Sequence, residues 1–190
     1  MIDYNFIKGL EGFTTNGIVP NHDGSQSGVT VGIGVDLGNV NLKRLALPDI
    51  LYSKLKPYDG LKNKSAYNYL KAHPLSLTDE EATLISQKAL LRHLTFLKNA
   101  WNRQSDIKWN SIPDAVQTVV FSVIYQYGNH KRVPKFWKSA IALDISGMIM
   151  ELRDFGDAYP TRRKKEAAYL ESMEAAYLET TTGEDNEKHV

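Results

Sequence analysis

Apolar residues recur at helical spacing near the start of the chain. Residues 3–12 carry Ile7 and Leu10 at such a spacing, and Gly12 ends the pattern immediately after Glu11. The pattern therefore predicts a first helix that has Glu11 at its C-terminal end.

A polar stretch and then a strand pattern follow this helix. Residues 14–28 are rich in Thr, Asn, Gly, Ser and Asp, a composition that favours a loop. Residues 29–35 alternate apolar with polar or small residues, which predicts one strand with an apolar face. Gly32 and Gly34 lie in this strand and permit a bend or the close approach of a ligand to the backbone.

The middle of the chain contains a long helical pattern. Residues 39–74 hold short apolar patches broken by proline and glycine, which predicts short helices and turns. Thr78–Glu81 then form a capping box, and apolar residues continue at helical spacing toward Trp101. A helix of about seven turns spans roughly 35 Å, which is long enough to join two lobes.

The C-terminal half is predicted to be helical throughout. Ser111 and Pro113 mark the start of a helix that is apolar around most of its circumference and ends at Gly128, as is typical of the centre of a bundle. Two or three further helices are expected, over about 134–142, 144–155 and Thr161 to about Ala176. We expect the three tryptophans to pack in the core.

These elements predict an α+β, predominantly helical, two-lobed fold in a single domain of residues 1–180. A small β-containing N-terminal lobe covers about 13–77, and a helix over about 78–104 joins it to the second lobe. The helical C-terminal lobe covers about 105–178, with the first helix packed on it. Residues 181–190 lack an apolar pattern, and we expect them to form a flexible tail.

Composition narrows the function classes. The chain has 190 residues and 42% hydrophobic residues, enough for one packed core, and its 23 basic and 22 acidic side chains leave a formal net charge of +1. This balance gives no sign of a nucleic-acid binder. No cysteine is present, which excludes disulfides and thiolate chemistry, and the five histidines lack metal-ligand spacing, so we expect no metal and no other cofactor.

The sequence also bears on location. The first residues lack a basic leader followed by an apolar run, so no signal peptide is visible. No stretch approaches the roughly 20 apolar residues of a membrane span. We therefore expect a protein made in the cytoplasm, which another system would have to deliver if its substrate lies outside.

Glu11 is the first candidate for chemistry. Hydrolysis of a glycosidic bond needs an acid that protonates the leaving oxygen and a second group that stabilises the transition state or positions water. Glu11 could serve as the acid. Taken alone, Glu11 is weak evidence for this chemistry, because a single glutamate at a helix end is more often merely solvated.

The order of motifs resembles the phage-type lysozymes. Glu11–Phe13 is followed by a polar loop, by Gly28–Gly34 with its Thr-x-Gly-x-Gly pattern, and by Asp36–Gly38. In that family a glutamate ends the first helix and a threonine in such a strand faces it across the cleft, which the resemblance assigns to Thr30. The longer form from Ser27 to Gly38 is most similar to the pesticin-like branch, bacterial toxins with a lysozyme-like catalytic domain.

Two aspartates are candidates for the second catalytic carboxylate. Phage lysozymes place an aspartate in the hairpin before the threonine, and the nearest match is Asp23, whereas pesticin-like sequences indicate Asp36, which we favour. Six residues of straight strand span about 20 Å, so Asp36 joins Thr30 at one sugar only if the chain bends. For either aspartate the alternative is an ordinary turn or capping residue.

Later segments extend the resemblance to most of the chain. Val120–Gly128 is similar to the buried central helix of the family, which implies that Tyr125 and Gln126 bind substrate in the cleft. Tyr159–Arg163 resembles the last helices, where an arginine approaches the catalytic glutamate, and Arg162 takes that position.

The two basic residues that follow are interpreted differently. For Arg163 and Lys164 we expect only the solvated face of a helix start.

The resemblance implies a muramidase that cleaves peptidoglycan between N-acetylmuramic acid and N-acetylglucosamine and thereby lyses bacterial cell walls. Thr30 would orient the attacking water, the arrangement of an inverting enzyme. The alternatives are a lytic transglycosylase, in which Glu11 is both acid and base, and a non-catalytic peptidoglycan-binding module. We expect the protein to act as an antibacterial effector or as a phage endolysin. Its expected partners are peptidoglycan glycan strands and, if it is an effector, an immunity protein. We expect a monomer.

Overall fold

The computed structural model describes residues 1–20 and 26–184, with side chains as far as Ser172. The chain divides into two compact units, one of Lys8–Thr95 and one of Met1–Ile7 together with the chain from Phe96. The predicted α+β, predominantly helical class is confirmed, since the described residues form mostly helix and one small antiparallel sheet.

The bounds of the elements in the described residues are as follows. The α-helices are α1 Tyr4–Glu11, α2 Asp49–Leu55, α3 Asn63–Ala72, α4 Asp79–Gln104, α5 Asp114–Tyr127, α6 Pro134–Ile141, α7 Ile145–Arg153 and α8 Pro160–Glu184. The strands are β1 Thr14–Ile18, β2 Thr30–Gly32 and β3 Val35–Asp36. Short 3-10 helices cover Leu42–Leu45, Lys56–Tyr58, Trp109–Ser111 and His130–Arg132.

The predicted single strand over 29–35 is wrong, because this stretch is a hairpin. β2 and β3 run antiparallel, with Thr30 opposite Asp36, and the chain reverses between them. Gly32 and Gly34 have φ values of 58° and 69°, a left-handed conformation that costs glycine little. The alternating pattern is the same for one strand and for two short ones, so periodicity alone did not reveal the turn.

β1 lies in the stretch that was predicted to be a loop. It pairs antiparallel with β2, with Thr14 opposite Gly32 and Ile18 opposite Thr30. Backbone hydrogen bonds join its other edge to the segment before α4, from the Gly17 N–H to the Leu75 carbonyl at 2.8 Å. Both edges of this polar strand are therefore occupied, which stabilises it despite its few apolar side chains.

The core of the Lys8–Thr95 unit forms around the sheet. The apolar side chains of Val29, Val31, Val35 and Leu37 in the hairpin are buried and pack with apolar side chains of α2, α3 and the first half of α4. The hairpin turn is also held by α4, because the backbone N–H of Ile33 donates to Ser86 Oγ at 3.0 Å. The sequence predicted short helices and turns over 39–74, and α2, α3 and two 3-10 helices confirm this.

The long helix α4 confirms the prediction drawn from its capping box. The Glu81 N–H donates to Thr78 Oγ1 at 3.2 Å, and Glu81 Oε2 accepts from the Thr78 N–H at 2.9 Å. Lys54 on α2 adds an ion pair to Glu81 at 2.6 Å. The start of α4 is thereby fixed within the sheet-containing unit.

The helical unit is centred on α5, as its pattern predicts. Every residue from Val116 to Ile124 is buried, and α6 and α8 pack against α5. The predicted start is slightly wrong: Ser111 lies in a 3-10 turn and α5 begins at Asp114 without a side-chain cap. α6 and α7 lie close to their predicted ranges, whereas α8 continues to Glu184, beyond the predicted end near Ala176.

Two further predictions concern the tryptophans and the C-terminus. Trp101, Trp109 and Trp137 are buried neighbours, with ring centroids 5.4 and 5.7 Å from that of Trp101, so their assignment to the core is confirmed. The predicted tail lies, from residue 185 onward, outside the described residues. No helix in the described part of the chain is both long and apolar enough to cross a membrane.

Candidate functional site

Glu11 lies at the C-terminal end of α1, where the sequence predicts it. The helix ends there because the Gly12 N–H bonds the Lys8 carbonyl at 3.0 Å while Gly12 has a φ of 77°. Glu11 is half-buried, and its Oε1 atom is buried. A β-carbon placed on Gly34 would lie 3.8 Å from Glu11 Oε2, so the β2–β3 turn lies beside the Glu11 carboxylate.

The hairpin brings Thr30 and Asp36 together. The two residues are directly opposite in the antiparallel pair, an arrangement in which Cα atoms lie about 5 Å apart. A straight strand would separate them by about 20 Å. Thr30 is 9% exposed, and its Oγ1 lies 3.5 Å from the Gly28 carbonyl oxygen, the limit of a hydrogen bond.

The Asp36 carboxylate is held by three donors. Its Oδ1 accepts from the N–H groups of Gly28 and Gly38, at 3.0 and 2.8 Å, and its Oδ2 accepts from Asn39 Nδ2 at 2.8 Å. The Asn39 amide also donates to the Gln26 carbonyl at 3.0 Å. These contacts fix the orientation of the carboxylate, and they equally fit a structural aspartate of the turn.

Two glycines make this arrangement possible. A β-carbon on Gly28 would lie 2.5 Å from both the Gly38 nitrogen and the Leu61 carbonyl oxygen, and one on Gly38 would lie 2.4 Å from the same carbonyl. The three backbone segments therefore approach too closely for any side chain. This packing fixes the chain on either side of Thr30 and Asp36.

The other candidate for the second carboxylate, Asp23, lies outside the described residues. Its proposed role stays a prediction. Among the described residues, no group of three His, Asp or Glu side chains is arranged to hold a metal ion.

Three predicted substrate-binding residues lie on α5 and α8 of the helical unit. Tyr125 is half-buried and stacks on Phe121, with ring centroids 5.6 Å apart. Gln126 is also half-buried, and its Oε1 accepts a hydrogen bond from Arg163. The contacts of Tyr125, Gln126 and Arg162 with substrate stay predictions.

Arg162 is held firmly within its own unit. Its Nε lies 3.1 Å from Glu166 Oε1, and its Nη2 donates to both the carbonyl and the hydroxyl oxygen of Ser122, each at 3.1 Å. The side chain is 10% exposed and that of Glu166 is fully buried. The guanidinium plane is thus fixed by one helix turn of α8 and by α5.

Arg163 corrects the prediction of a solvated side chain. It is 2% exposed, forms ion pairs with Glu166 and, at 2.9 Å, with Asp157, and its guanidinium lies 4.4 Å from the ring centroid of Phe155. The reason is helical geometry, because residue 163 faces the same buried side as Glu166, three positions later. Lys164 is exposed, as predicted.

Two arginines and two acids therefore form a buried network of zero net charge. Burial would raise the pKa of Asp157, but hydrogen bonds from Tyr127, from the Tyr159 N–H and from Arg163 outweigh it and hold that pKa below its ordinary value. The pKa of Tyr127 is raised by burial and by its hydrogen bond to Asp157. The sequence offered one signal for this network: Glu166 lies four and three positions after the two arginines.

Comparison with known proteins adds a family. Residues 1–146 match a protein family described as "Pesticin: Bacterial toxin homologue of phage lysozyme, C-term". No curated protein matches the chain. The matched range contains Glu11, Thr30, Asp36, Tyr125 and Gln126, and it ends before α8.

Proposed function

The chain belongs to the Pesticin family of bacterial toxin homologues of phage lysozyme, and on this premise we propose that it is a muramidase. The family implies a lysozyme-type glycoside hydrolase with peptidoglycan as substrate. The bond that we propose is cleaved joins N-acetylmuramic acid to N-acetylglucosamine, and its cleavage would lyse the cell wall. The observation that carries the proposal is the β2–β3 turn, which pairs Thr30 with Asp36 and lies beside Glu11.

Glu11 is proposed as the general acid. It protonates the glycosidic oxygen as the bond to the anomeric carbon breaks, and an oxocarbenium-like charge develops on the sugar. Glu11 is half-buried at the end of α1, with Oε1 buried, so its side chain is partly accessible and partly removed from water. A negative charge near the sugar then stabilises the transition state.

Asp36 is proposed to supply that charge, with Asp23 as the alternative. The three N–H donors around Asp36 fix its carboxylate in one orientation, so no reorganisation is needed as the positive charge develops. The carboxylate retains a further acceptor position, since two oxygens offer about four lone pairs and three are engaged.

Thr30 is proposed to orient the attacking water. Its hydroxyl lies in the strand directly opposite Asp36, so a water bound to Thr30 would also lie near a carboxylate able to accept its proton. Attack from the face opposite Glu11 gives inversion of the anomeric configuration. Tyr125, Gln126 and Arg162 are proposed to contact the substrate.

Delivery of the protein to peptidoglycan is also proposed. It would be made in the cytoplasm and carried outward by a secretion machine, as an antibacterial effector, or released by a holin, as an endolysin. We favour the effector, which would require an immunity protein in the producing cell. We expect the enzyme to act as a monomer.

The test is incubation of purified protein with peptidoglycan sacculi, followed by mass spectrometry of the released fragments. Wild type is expected to release disaccharide-peptides with reducing ends, and Glu11→Gln is expected to lose at least about a hundredfold in rate, because Gln cannot donate the proton. Glu151→Gln on α7 is a matched control and should retain full activity.

Other outcomes would contradict the proposal. Anhydro-muramic ends would indicate a lytic transglycosylase. Binding to sacculi without any release by folded wild type would indicate a non-catalytic binding module. Release that persists in Glu11→Gln would exclude Glu11 as the general acid.

A further inference from the structure

One segment of the helical unit carries only positive charge. Residues 115–143 contain no aspartate or glutamate, but they include Lys131, Arg132, Lys135 and Lys138. All four are exposed. Since the whole chain has a formal net charge of +1, the remainder of the chain is net negative, and the positive charge is concentrated here.

Local structure holds these cations at the surface. Lys131 and Arg132 belong to the 3-10 helix that leads directly into α6. On α6, Phe136, Trp137 and Ala140 are buried, and Lys135 and Lys138 lie three positions apart on the exposed side. The segment is therefore anchored by its aromatic residues while its basic groups remain in water.

A fifth cation comes from the end of α4. Trp137 Nε1 donates to Gln104 Oε1 at 3.1 Å, and the Gln104 amide nitrogen lies 3.4 Å from His130 Nε2, so α4 ends against the 3-10 helix. Arg103, next to Gln104, is exposed and lies near His130. In the part of the chain that the structure describes, none of the five cations forms an ion pair with an acidic group.

We propose that this basic surface binds the carboxylated peptide stems of peptidoglycan. It is defined by five residues: Arg103, Lys131, Arg132, Lys135 and Lys138. The inference rests on the proposed function, because the stem carboxylates are the regularly repeated anions of that substrate. Separate exposed cations on long side chains suit flexible stems better than a single shaped pocket would, and several weak contacts together retain the protein on a polymer.

The experiment measures binding to sacculi in a Glu11→Gln background, so that the polymer stays intact. One variant carries Lys131→Gln, Arg132→Gln, Lys135→Gln and Lys138→Gln. Its affinity, measured by co-sedimentation at low ionic strength, is expected to fall at least about tenfold, and added salt should weaken the parent protein toward the same level. Circular dichroism verifies that the exposed substitutions leave the fold intact.

A matched control removes the same number and type of charges elsewhere. Lys43→Gln, Arg44→Gln, Lys64→Gln and Lys71→Gln replace three lysines and one arginine, all exposed, in the other unit. This control is expected to bind sacculi as the parent does. An equal loss of binding would mean that only total charge matters and would overturn the inference.

A second comparison identifies the anion. Sacculi whose carboxyl groups have been converted to amides with ethanolamine should bind the parent protein as weakly as native sacculi bind the basic-surface variant. A difference between parent and variant that persists on amidated sacculi would exclude the stem carboxylates. Fragment release by the protein with Glu11 intact tests the proposed function separately, because these binding measurements require no cleavage.

Discussion

One oxygen of the Asp36 carboxylate accepts hydrogen bonds from the backbone N–H groups of Gly28 and Gly38, and the other accepts one from the Asn39 side chain. Asp36→Asn retains one acceptor oxygen for the two glycine N–H groups, whereas Asp36→Ala removes every acceptor. We expect a loss of unfolding free energy of about 1 kcal/mol or less for Asn and about 2 to 3 kcal/mol for Ala. Because the proposed chemistry uses the negative charge, both should release fragments from sacculi at least about tenfold more slowly.

Denaturant unfolding and fragment release, measured on the same preparations, separate the two effects. Asp23→Asn is the matched comparison, since the sequence leaves these two aspartates open. Full activity in Asp36→Asn together with loss in Asp23→Asn would make Asp36 a structural turn residue and Asp23 the second carboxylate.

At the scale of residues, the sequence predicts the position of Glu11 at a helix end more directly than it predicts the pairing of Thr30 with Asp36. Gly12 is a strong local signal for a helix end, and its positive φ confirms that the helix ends there. The pairing of Thr30 with Asp36 depends on left-handed backbone at Gly32 and Gly34. Glycine permits that conformation without requiring it, so the sequence allowed a bend but did not fix the register.

At the scale of elements, α8 depends on the ion pairs of Arg163. Arg163→Met preserves the packing of the aliphatic chain, but it removes the buried cation that Glu166 and Asp157 share and leaves Glu166 paired with Arg162 alone. Removal of one partner from a buried ion pair typically costs about 3 to 5 kcal/mol. We expect a loss of that size in denaturant unfolding followed by tryptophan fluorescence, since the three tryptophans lie in the same unit.

The neighbouring residue supplies the control for this prediction. Lys164 is exposed, and Lys164→Met is expected to change the unfolding free energy by no more than about 0.5 kcal/mol. Equal stability of Arg163→Met and wild type would show that the buried network contributes nothing net.

The incorrect prediction for Arg163 has a physical reason. The run of four basic residues at 162–165 looks uniformly solvated when composition is considered alone. Ala167 and Leu170 are buried, and the helical period extends their face back to Arg163 and Glu166. Helical periodicity therefore indicated that Arg163 is buried. Strand β1 was missed for a different reason, because its polar residues form no apolar face that a pattern could reveal.

At the scale of the whole molecule, composition conceals where charge lies. A formal net charge of +1 suggests an electrostatically neutral protein, yet the structure collects exposed cations on one segment and neutralises Arg162 and Arg163 inside the helical unit. The α+β class and the long capped helix were predictable, because they follow from local periodicity. The spacing of Glu166 after the two arginines indicated their ion pairs, whereas the hydrogen bonds to Ser122, Gln126 and Tyr127 were not predictable, because they join α8 and the segment before it to α5.

The stability of the helical unit is expected to fall in two steps as the pH is lowered. Burial, and then the nearby Lys131 and Arg103, lower the pKa of His130 from its ordinary 6.5. The unfolded chain therefore binds a proton before the folded one does, and stability is lost from about pH 6.5 downward until the folded pKa is reached. The pKa of Asp157 is also lowered, so its contribution is present above about pH 3.8 and is lost below that value.

His130→Gln isolates the first step. Urea unfolding of wild type and variant, at about pH 7.5 and at about pH 5, should show a smaller pH-dependent loss in the variant, because Gln does not titrate in this range. The second step should remain in His130→Gln, since Asp157 is unchanged. If the variant lost as much stability as wild type between these pH values, other groups would have to bind the protons that destabilise the fold.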